Sequence, residues 1–246
     1  MAKVIVIGGG AAGMMAAGTA VHGGHTVTVL EHSRKTLLKL GITGKGRCNL
    51  TNDCDVRALV ANTPHGGKFL YGAFARTTAQ DVMAFFESLG VPLKTERGGR
   101  VFPVSDRAFD VADALRRYAA GAKVLFTEAK HICLRDGAVC GVETPDGFLE
   151  AEHVILASGG RSYPATGSDG SGYALAREAG HTIVDAEPSL VPLRADPATC
   201  APLSGLTLKN VTLTLCRNGK LVYSEQGEML FTHTGISGPL VLSASV

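Results

Sequence analysis

The sequence predicts an α/β protein with a parallel sheet, and three features of its N-terminal part carry this prediction. A continuous β-branched run, Lys3–Ile7, has the composition of a strand that is buried on both faces. The alanine-rich segment 11–21 follows as a helix and ends at Gly23-Gly24. A second alternating run, Thr26–Leu30, completes a strand–helix–strand unit. A hydrophobic content of 45% and 31 glycines among 246 residues fit a glycine-rich fold with a full core.

The next part of the chain predicts a loop, two helices and a strand. Segment 37–52 is dense in glycine and basic residues and is predicted to be a loop. Helices are predicted at 78–88 and 109–119 and a strand at 123–126. Thr77 or Thr78 is expected to cap the first helix and Asp106 the second, because their side-chain oxygens accept from free backbone N–H groups.

Three short β-like runs follow, at 131–134, 138–144 and 148–150. The dipeptides between them, Asp136-Gly137 and Asp146-Gly147, favour tight hairpin turns. The connection to the next strand, 154–157, is therefore predicted to be a three-stranded meander, where many parallel sheets use a helix. A last helix of this part is predicted at 173–179.

Four prolines mark a change of composition near residue 188: Pro188, Pro192, Pro197 and Pro202. Strand candidates at 207–216 and 220–223 follow them. We therefore predict two domains, 1–187 and 188–246.

Composition and motif spacing argue against several classes of partner and ligand. The net charge is +2, and no basic block is interleaved with aromatic residues, so a nucleic-acid partner is not expected. The six cysteines form no C-x-x-C motif and are expected to be reduced thiols in a cytoplasmic protein. The histidines lack metal-ligand spacing, so no metal is expected. The uncharged segment 4–21 resembles a signal peptide or membrane span, but its three central glycines favour strand, turn and helix, and no membrane partner is expected.

The first motif that carries chemistry is the G-x-G-x-x-G run Gly8, Gly10 and Gly13. Gly8 allows a tight turn, Gly10 lets backbone approach a pyrophosphate, and Gly13 lets helix and strand pack closely. A diphosphate can then bind helix N-terminal groups such as the N–H of Ala12. Glu31, at the end of the second strand, is placed to bind a ribose hydroxyl pair. This order of features favours dinucleotide binding over an ordinary glycine-rich turn.

An NADP site is an alternative for the same unit. His32, Arg34 and Lys35 can meet a 2′-phosphate, but the charge of Glu31 would repel that phosphate.

Three further loops are candidate binding elements. Segment 43–52 concentrates glycines, hydroxyls and Arg47, and is either a set of donors for anionic or carbonyl oxygens or a mobile surface loop. Segment 157–160 follows a parallel-type strand and is either a cofactor-facing loop or a plain turn. Segment 167–172 is either an anion-facing helix start or a helix capped by Ser171. Cys48 is expected to be a packed thiol and not a redox residue.

These stretches together resemble the bacterial BaiN-like, aminoacetone-oxidase-type family of FAD-dependent oxidoreductases. The matching sequence is the glycine motif with Glu31, then T-G-K-G-R-C-N-L-T-N at 43–52, G-R-V-F-P at 99–103, A-S-G-G-R-S-Y-P at 157–164 and L-F-T-H-T-G-I-S-G-P at 230–239. The resemblance covers the whole chain, and its R-C-N-x-T-N and F-T-H-x-G-x-S-G-P elements are specific.

The resemblance implies a glutathione-reductase-type FAD/NAD(P)-binding Rossmann domain, followed from about Pro188 by the beginning of an inserted β-rich substrate domain. Family members continue past Val246 and return to the FAD domain, so the chain is expected to be truncated. The residues that would bind FAD by position are Gly8, Gly10, Ala12, Gly13, Glu31, Thr43, Gly44, Gly46, Arg47, Cys48, Asn49, Ala129, Ala157, Ser158, Gly159 and Gly160.

One departure from the family pattern affects the fourth loop. Where the family tends to read G-S-T-G-D-G-Y, this chain has Gly167-Ser168-Asp169-Gly170-Ser171-Gly172-Tyr173, so the acid is displaced by two positions. A role carried by that acid in the family does not transfer directly.

The resulting functional hypothesis is an FAD-dependent oxidoreductase that transfers hydride between flavin and a small organic substrate or NAD(P)H. The substrate is either a small amine oxidised with oxygen or an enone reduced with NAD(P)H as electron donor. No acid–base pair stands out, and the catalytic residue is unknown; His233 is a weak candidate, since a lone histidine is more often structural. The alternative is a module that binds FAD or another nucleotide without turnover.

Overall fold

A computed structural model describes all residues, Met1–Val246, and the chain forms two compact units, Met1–Ile183 and Val184–Val246. The predicted identities of the two domains, a cofactor domain and the beginning of a substrate domain, stay predictions.

Unit 1 is a mixture of strands and helices. Its strands are β1 (Lys3–Ile7), β2 (Thr26–Leu30), β3 (Thr51–Asn52), β4 (Leu93–Glu96), β5 (Arg100–Pro103), β6 (Lys123–Leu125), β7 (His131–Arg135), β8 (Ala138–Thr144), β9 (Gly147–Glu150) and β10 (His153–Leu156). Its helices are α1 (Ala11–His22), α2 (Leu38–Ile42), α3 (Val56–Ala61), α4 (Gly67–Arg76), α5 (Ala79–Ser88), α6 (Ala108–Tyr118) and α7 (Ser171–Glu178). No helix of the chain is both long enough and apolar enough to cross a bilayer.

The main sheet of unit 1 confirms the predicted α/β class. Its strand order is β10-β1-β2-β6, and all three pairings are parallel. The register places Ile7 beside Leu30 and Leu156, so the carboxyl ends of the strands lie at one edge. Backbone hydrogen bonds hold the loops that leave this edge, including Gly8 N–H to Leu30 O at 2.8 Å and Ala157 N–H to Ile7 O at 2.8 Å.

The two faces of this sheet are both buried, as the β-branched composition of β1 predicts. Side chains of a strand alternate between faces. Val4 and Val6 pack in the cluster that includes residues of α1 and α6, whereas Ile5 and Ile7 pack in the cluster that includes Val142 of β8. The sheet therefore forms the middle layer of unit 1.

The predicted meander is also present. Strands β7, β8 and β9 form an antiparallel sheet between β6 and β10. Asp136 and Gly137 both have positive φ, of 54° and 77°, in the turn between β7 and β8. A two-residue turn of this kind matches the twist of the flanking strands, which explains the Asp-Gly sequence.

The region between β2 and α5 differs most from the prediction. Segment 37–52 is not all loop, because it contains α2, a 3₁₀ turn at Thr43–Gly46 and the short strand β3. Burial of Leu37 and Leu40 in the core stabilises α2 despite the neighbouring glycines. Helices α3 and α4 and the small antiparallel sheet β3-β5-β4 were not predicted.

Helix capping was predicted correctly at α5 and wrongly at α6 and α7. The Thr78 side chain accepts from the N–H of Asp81, and the Asp81 carboxylate accepts in return from Thr78 N–H. At α6 the N-cap residue is Arg107, because the Asp106 carboxylate is bonded to Lys94 and Arg47. Ser171 is the first residue of α7 and not its cap, a position that Gly170 takes with φ of 88°.

Unit 2 is β-rich. It contains β11 (Leu193–Arg194), β12 (Thr207–Arg217), β13 (Lys220–Thr232), β14 (Gly235–Ser237), α8 (Pro197–Cys200) and α9 (Pro239–Ala244). The antiparallel sheet order is β11-β14-β13-β12, and Leu240, Val241 and Ala244 of α9 are buried. The predicted strands 207–216 and 220–223 are present, and the second continues to Thr232.

We expect Gly13→Ala to destabilise unit 1, because a Cβ at this position would lie 1.8 Å from the carbonyl oxygen of Gly8. Forcing a methyl group into such a contact costs roughly 1–3 kcal/mol, and more where backbone must move. The free energy of unfolding in urea measures the effect. Gly72→Ala in α4 is the control, since nothing lies within 4 Å of its Cβ position. Equal stability of the two variants would contradict the packing described here.

Candidate functional site

A cavity of about 430 Å³ lies at the carboxyl edge of the parallel sheet. The loops that follow the four strands contribute Gly8, Glu31, Ala129 and Ala157 to its wall. Ligands of open parallel sheets bind at this edge, because the loops there are free to vary while the strands hold them in place. The four predicted elements that follow β1, β2, β6 and β10 are therefore brought together.

The glycine motif forms the floor of the cavity. Gly8 has φ of 107°, and a Cβ there would lie 2.5 Å from the carbonyl oxygen of Ala157. Gly10 is different, because it lines the cavity and no atom lies within 4 Å of its Cβ position. The space beside Gly10 thus gives a ligand close access to backbone. Gly13 does not line the cavity; it packs α1 against the loop.

Helix α1 points its N-terminus into the same cavity. Its N-cap residue, Gly10, provides no side chain, and no acidic residue lies in the first turn. Ala11 and Ala12 line the cavity. The first N–H groups of a helix have no intrahelical acceptor, and the helix dipole makes this end positive. An anion in the cavity would satisfy both.

Glu31 is buried, with 8% of its surface exposed, and also lines the cavity. Its Oε2 accepts from Gly9 N–H at 2.8 Å, and its Oε1 accepts from Ser33 N–H at 2.7 Å. Each carboxylate oxygen can accept a further hydrogen bond, so the group is still able to bind a hydroxyl pair. Glu31 has a second role that the sequence did not indicate, which is to hold the glycine loop at the end of β2.

The loop 43–49 contributes only part of its predicted residues. Thr43, Cys48 and Asn49 line the cavity, whereas Gly44 and Gly46 do not. Cys48 is buried, and its N–H donates to Thr43 O at 3.0 Å. Burial raises the pKa of the Cys48 thiol, and a hydrogen bond with Thr43 opposes this only in part. The group is a neutral thiol at pH 7, in line with the predicted packed cysteine.

Arg47 lies outside the cavity wall, although the resemblance places it along the cofactor. Its Nε donates to Asp106 Oδ1 at 2.8 Å, it pairs with Glu96, and its guanidinium carbon lies 4.1 Å from the centre of the Phe102 ring. The hydrogen bonds with Glu96 and Asp106 raise the pKa of Arg47. Hydrogen bonds that the Asp106 carboxylate accepts, the larger effect from Lys94 and the smaller from Arg47, lower its pKa. Arg47 therefore joins the loop to β4 and β5, and its role at a pyrophosphate stays a prediction.

The segments 157–160 and 167–172 pack directly against each other. A Cβ at Gly159 would lie 2.7 Å from Ser168 Oγ, and one at Gly172 would lie 2.0 Å from Ser158 Oγ. Ala157, Ser158 and Gly159 line the cavity and Gly160 does not. The displaced acid, Asp169, accepts from Ser171 N–H at 2.9 Å, so it organises the turn before α7.

Two cationic residues of the wall, Lys35 and Lys39, were not predicted from the sequence to contact FAD. Lys39 lies in the wall and donates to the Ser162 carbonyl at 2.7 Å and to Ser168 Oγ. Lys35 also lies in the wall and was considered only for an NADP site. The signal of Lys39 in the sequence was weak, because it belongs to the segment 37–52 that was predicted to be a loop.

His233 belongs to unit 2 and is exposed in the turn between β13 and β14. It does not line the cavity of unit 1. Its catalytic role stays a prediction.

The fold and this site define a dinucleotide-binding α/β protein of the Rossmann class. The sequence profile of the HI0933-like protein Rossmann domain matches residues 2–241. The chain belongs to this family.

Two curated relatives carry enzyme names. A 3-dehydro-bile acid delta(4,6)-reductase of Clostridium scindens is 37% identical over 100% of this chain and 60% of its own length. A ribosomal RNA dihydrouridine synthase of Haemophilus influenzae is 30% identical over 98% of this chain and 60% of its own length. The chain thus spans 60% of the length of these relatives. The family match and the first relative confirm the predicted resemblance to the BaiN-like FAD-dependent oxidoreductases.

Solved structures agree on the fold. A flavocytochrome c3 fumarate reductase in its open conformation has a TM-score of 0.59 at 19% identity, covering 85% of this chain and 47% of that one. Mycobacterium smegmatis Sdh1 in complex with UQ1 has a TM-score of 0.54 at 24% identity, covering 72% and 38%. Identities this low show the Rossmann fold alone.

We expect Glu31→Gln to lower the free energy of unfolding by roughly 1–3 kcal/mol, because an amide nitrogen facing the N–H of Gly9 or Ser33 leaves a buried donor unsatisfied. Urea denaturation measures the loss. Glu128→Gln is the matched control, since Glu128 also lines the cavity but bonds only to Lys130 at the surface. If Glu31→Gln is as stable as the control, Glu31 does not hold the loop.

Proposed function

We propose that this chain binds FAD in the cavity of unit 1 and is the cofactor-binding part of a flavin-dependent oxidoreductase. The observation that carries the proposal is the open N-terminus of α1 at Gly10, which faces the cavity with no side chain to cap it. A diphosphate is an anion of the right kind for such a helix end.

The residues present fit the ADP half of FAD. The backbone at Gly8, Gly10 and Ala12 would hold the diphosphate, and the remaining lone pairs of Glu31 would accept from ribose hydroxyls. Lys35 and Lys39 add positive charge to the wall. The space at Gly10 that a Cβ would fill is the main point of fit.

The flavin half would extend towards Thr43, Cys48 and Asn49 on one side and Ala157 to Gly159 on the other. When bound, a flavin supplies the acceptance and donation of hydride. The chain contributes orientation and shielding from water. The neutral Cys48 thiol offers a packing surface and adds no charge. Ala129 would meet the adenine by its backbone.

For the reaction, we propose reduction of a conjugated carbon–carbon double bond, with NAD(P)H as electron donor. One relative is named as a reductase and another as a dihydrouridine synthase, and both names favour reduction over the oxidation of an amine. The substrates in these names differ, a bile-acid derivative and ribosomal RNA, so the expected small-molecule substrate and the expected absence of nucleic-acid and membrane partners stay predictions.

Two other functions remain as alternatives. An NADP site is disfavoured because Glu31, in the wall beside His32 and Lys35, would repel a 2′-phosphate. Binding of FAD without turnover is separated from the proposal by anaerobic mixing with NADH or NADPH. Bleaching of the flavin absorption band supports turnover, and an unchanged band supports a binding module.

We expect Gly10→Ala to weaken FAD binding by about tenfold or more, a loss of about 1.4 kcal/mol, while unfolding is unchanged. The added methyl meets no protein atom within 4 Å but occupies the space where the diphosphate would bind. Quenching of flavin fluorescence gives the affinity, and a thermal melt gives the stability. Gly72→Ala serves as the control, because its Cβ is equally unhindered and lies outside the cavity.

Two results would count against the FAD site. Wild-type protein that gains no flavin spectrum after incubation with FAD would refute it for this chain. Equal affinity of wild type and Gly10→Ala would place the cofactor elsewhere.

A further inference from the structure

A second cavity of unit 1, of about 400 Å³, lies beside the proposed FAD site. Its wall is formed by segment 35–38, by Gly41 and Gly46, and by Arg107 with residues along α6 as far as Arg116. Lys35, Leu37 and Leu38 belong to the walls of both cavities, so the two are neighbours on either side of this segment. Of the residues assigned to FAD by resemblance, only Gly46 lines the second cavity.

Positive charge dominates this wall. Lys35, Arg107 and Arg116 line the cavity, and no aspartate or glutamate does. None of the three cations forms a salt bridge. In a protein with a net charge of only +2, three such cations around one cavity are an uncompensated concentration of charge.

The acids of α6 and its preceding turn do not neutralise the wall. Asp106 is paired with Lys94 and Arg47, and Asp113 is paired with Arg117. Asp110, in the first turn of α6, is the nearest remaining acid in sequence and is not part of the wall.

Arg116 is the most constrained of the three cations. It is half-buried, and its Nε and Nη2 donate to Thr36 Oγ1 and to the Thr36 carbonyl, each at 3.3 Å. These neutral acceptors fix the guanidinium in place but leave its charge unbalanced. A guanidinium without an acidic partner attracts anions, so Arg116 adds to the positive potential of the cavity.

The rest of the wall is suited to a flat ring. Phe109 is 58% exposed at the cavity, and the guanidinium carbon of Arg107 lies 5.9 Å from the centre of its ring. Nothing lies within 4 Å of the Cβ positions of Gly41 and Gly46, so a ligand can approach the backbone on this side of the cavity. An exposed phenyl ring beside arginines is a common platform for stacked bases.

We propose that the second cavity binds a nucleotide, with its phosphate bound by Arg107 and its base against Phe109, and with Lys35 and Arg116 adding positive charge that attracts the phosphate. The proposal does not depend on FAD binding, because the two walls are distinct apart from the shared segment.

Amide chemical shifts of ¹⁵N-labelled protein, followed during titration with 5′-AMP, test the proposal site by site. We expect AMP to move the signals of Gly46, Ala108 and Phe109, and both adenosine and inorganic phosphate to bind at least about tenfold more weakly than AMP, because each lacks one of the two contacting groups. AMP that moves only the signals of residues 10–12 would overturn the proposal, because it would then bind in the first cavity alone. Equal affinity for phosphate and AMP would also overturn it.

Arg107→Gln is the decisive variant, and Arg97→Gln is its matched control, since Arg97 is exposed and lines neither cavity. We expect Arg107→Gln to lower the affinity for AMP, measured from the shift of the Phe109 signal, by about tenfold, as for loss of a charged hydrogen bond. Arg97→Gln should leave this affinity unchanged. Phe109→Ala should weaken AMP more than inorganic phosphate. Equal effects of the two arginine variants would mean that AMP responds only to the general positive charge.

Discussion

The close approach of the glycine loop to its neighbouring backbone is the constraint on which the site depends. At Gly8 a Cβ would meet the Ala157 carbonyl at 2.5 Å, and at Gly13 it would meet the Gly8 carbonyl at 1.8 Å. These contacts bring three segments, the ends of β1 and β10 and the first turn of α1, to one edge of the sheet. Glu31 fastens the same loop from the side of β2 through Gly9. Together, the contacts of Gly8, Gly13 and Glu31 hold α1 so that its uncapped N-terminus faces the cavity.

The charged residues around this loop fall into two groups, those that are paired with each other and those that line a cavity. Arg47 belongs to a network with Glu96, Asp106 and Lys94, in which each charge is compensated and the loop 43–49 is joined to the small sheet. The cations left for a ligand are Lys35 and Lys39 in the first cavity and Lys35, Arg107 and Arg116 in the second. A basic residue within a binding motif therefore need not be the residue that meets the ligand.

Local sequence patterns predicted the features that depend on near neighbours. The parallel strands, the Asp136-Gly137 turn, the Thr78 cap and the glycine motif all follow from spacing along the chain. Other features depend on distant partners. Asp106 was predicted to cap α6, but its carboxylate bonds Arg47, which is 59 residues away. Helix α2 is stabilised by burial of Leu37 and Leu40, which a window rich in glycine and lysine does not indicate. Lys39 is positioned by Ser162 and Ser168, more than a hundred residues later.

The central claim is that backbone at the N-terminus of α1 holds a diphosphate in the first cavity. Displacement of FAD by ADP and by adenosine, followed through recovery of flavin fluorescence, tests it most directly, because the two competitors differ only in the diphosphate. The claim predicts that ADP displaces FAD at concentrations at least about a hundredfold lower than adenosine does, because adenosine cannot form the hydrogen bonds between the diphosphate and the backbone N–H groups. Displacement by ADP and adenosine at equal concentrations would contradict it.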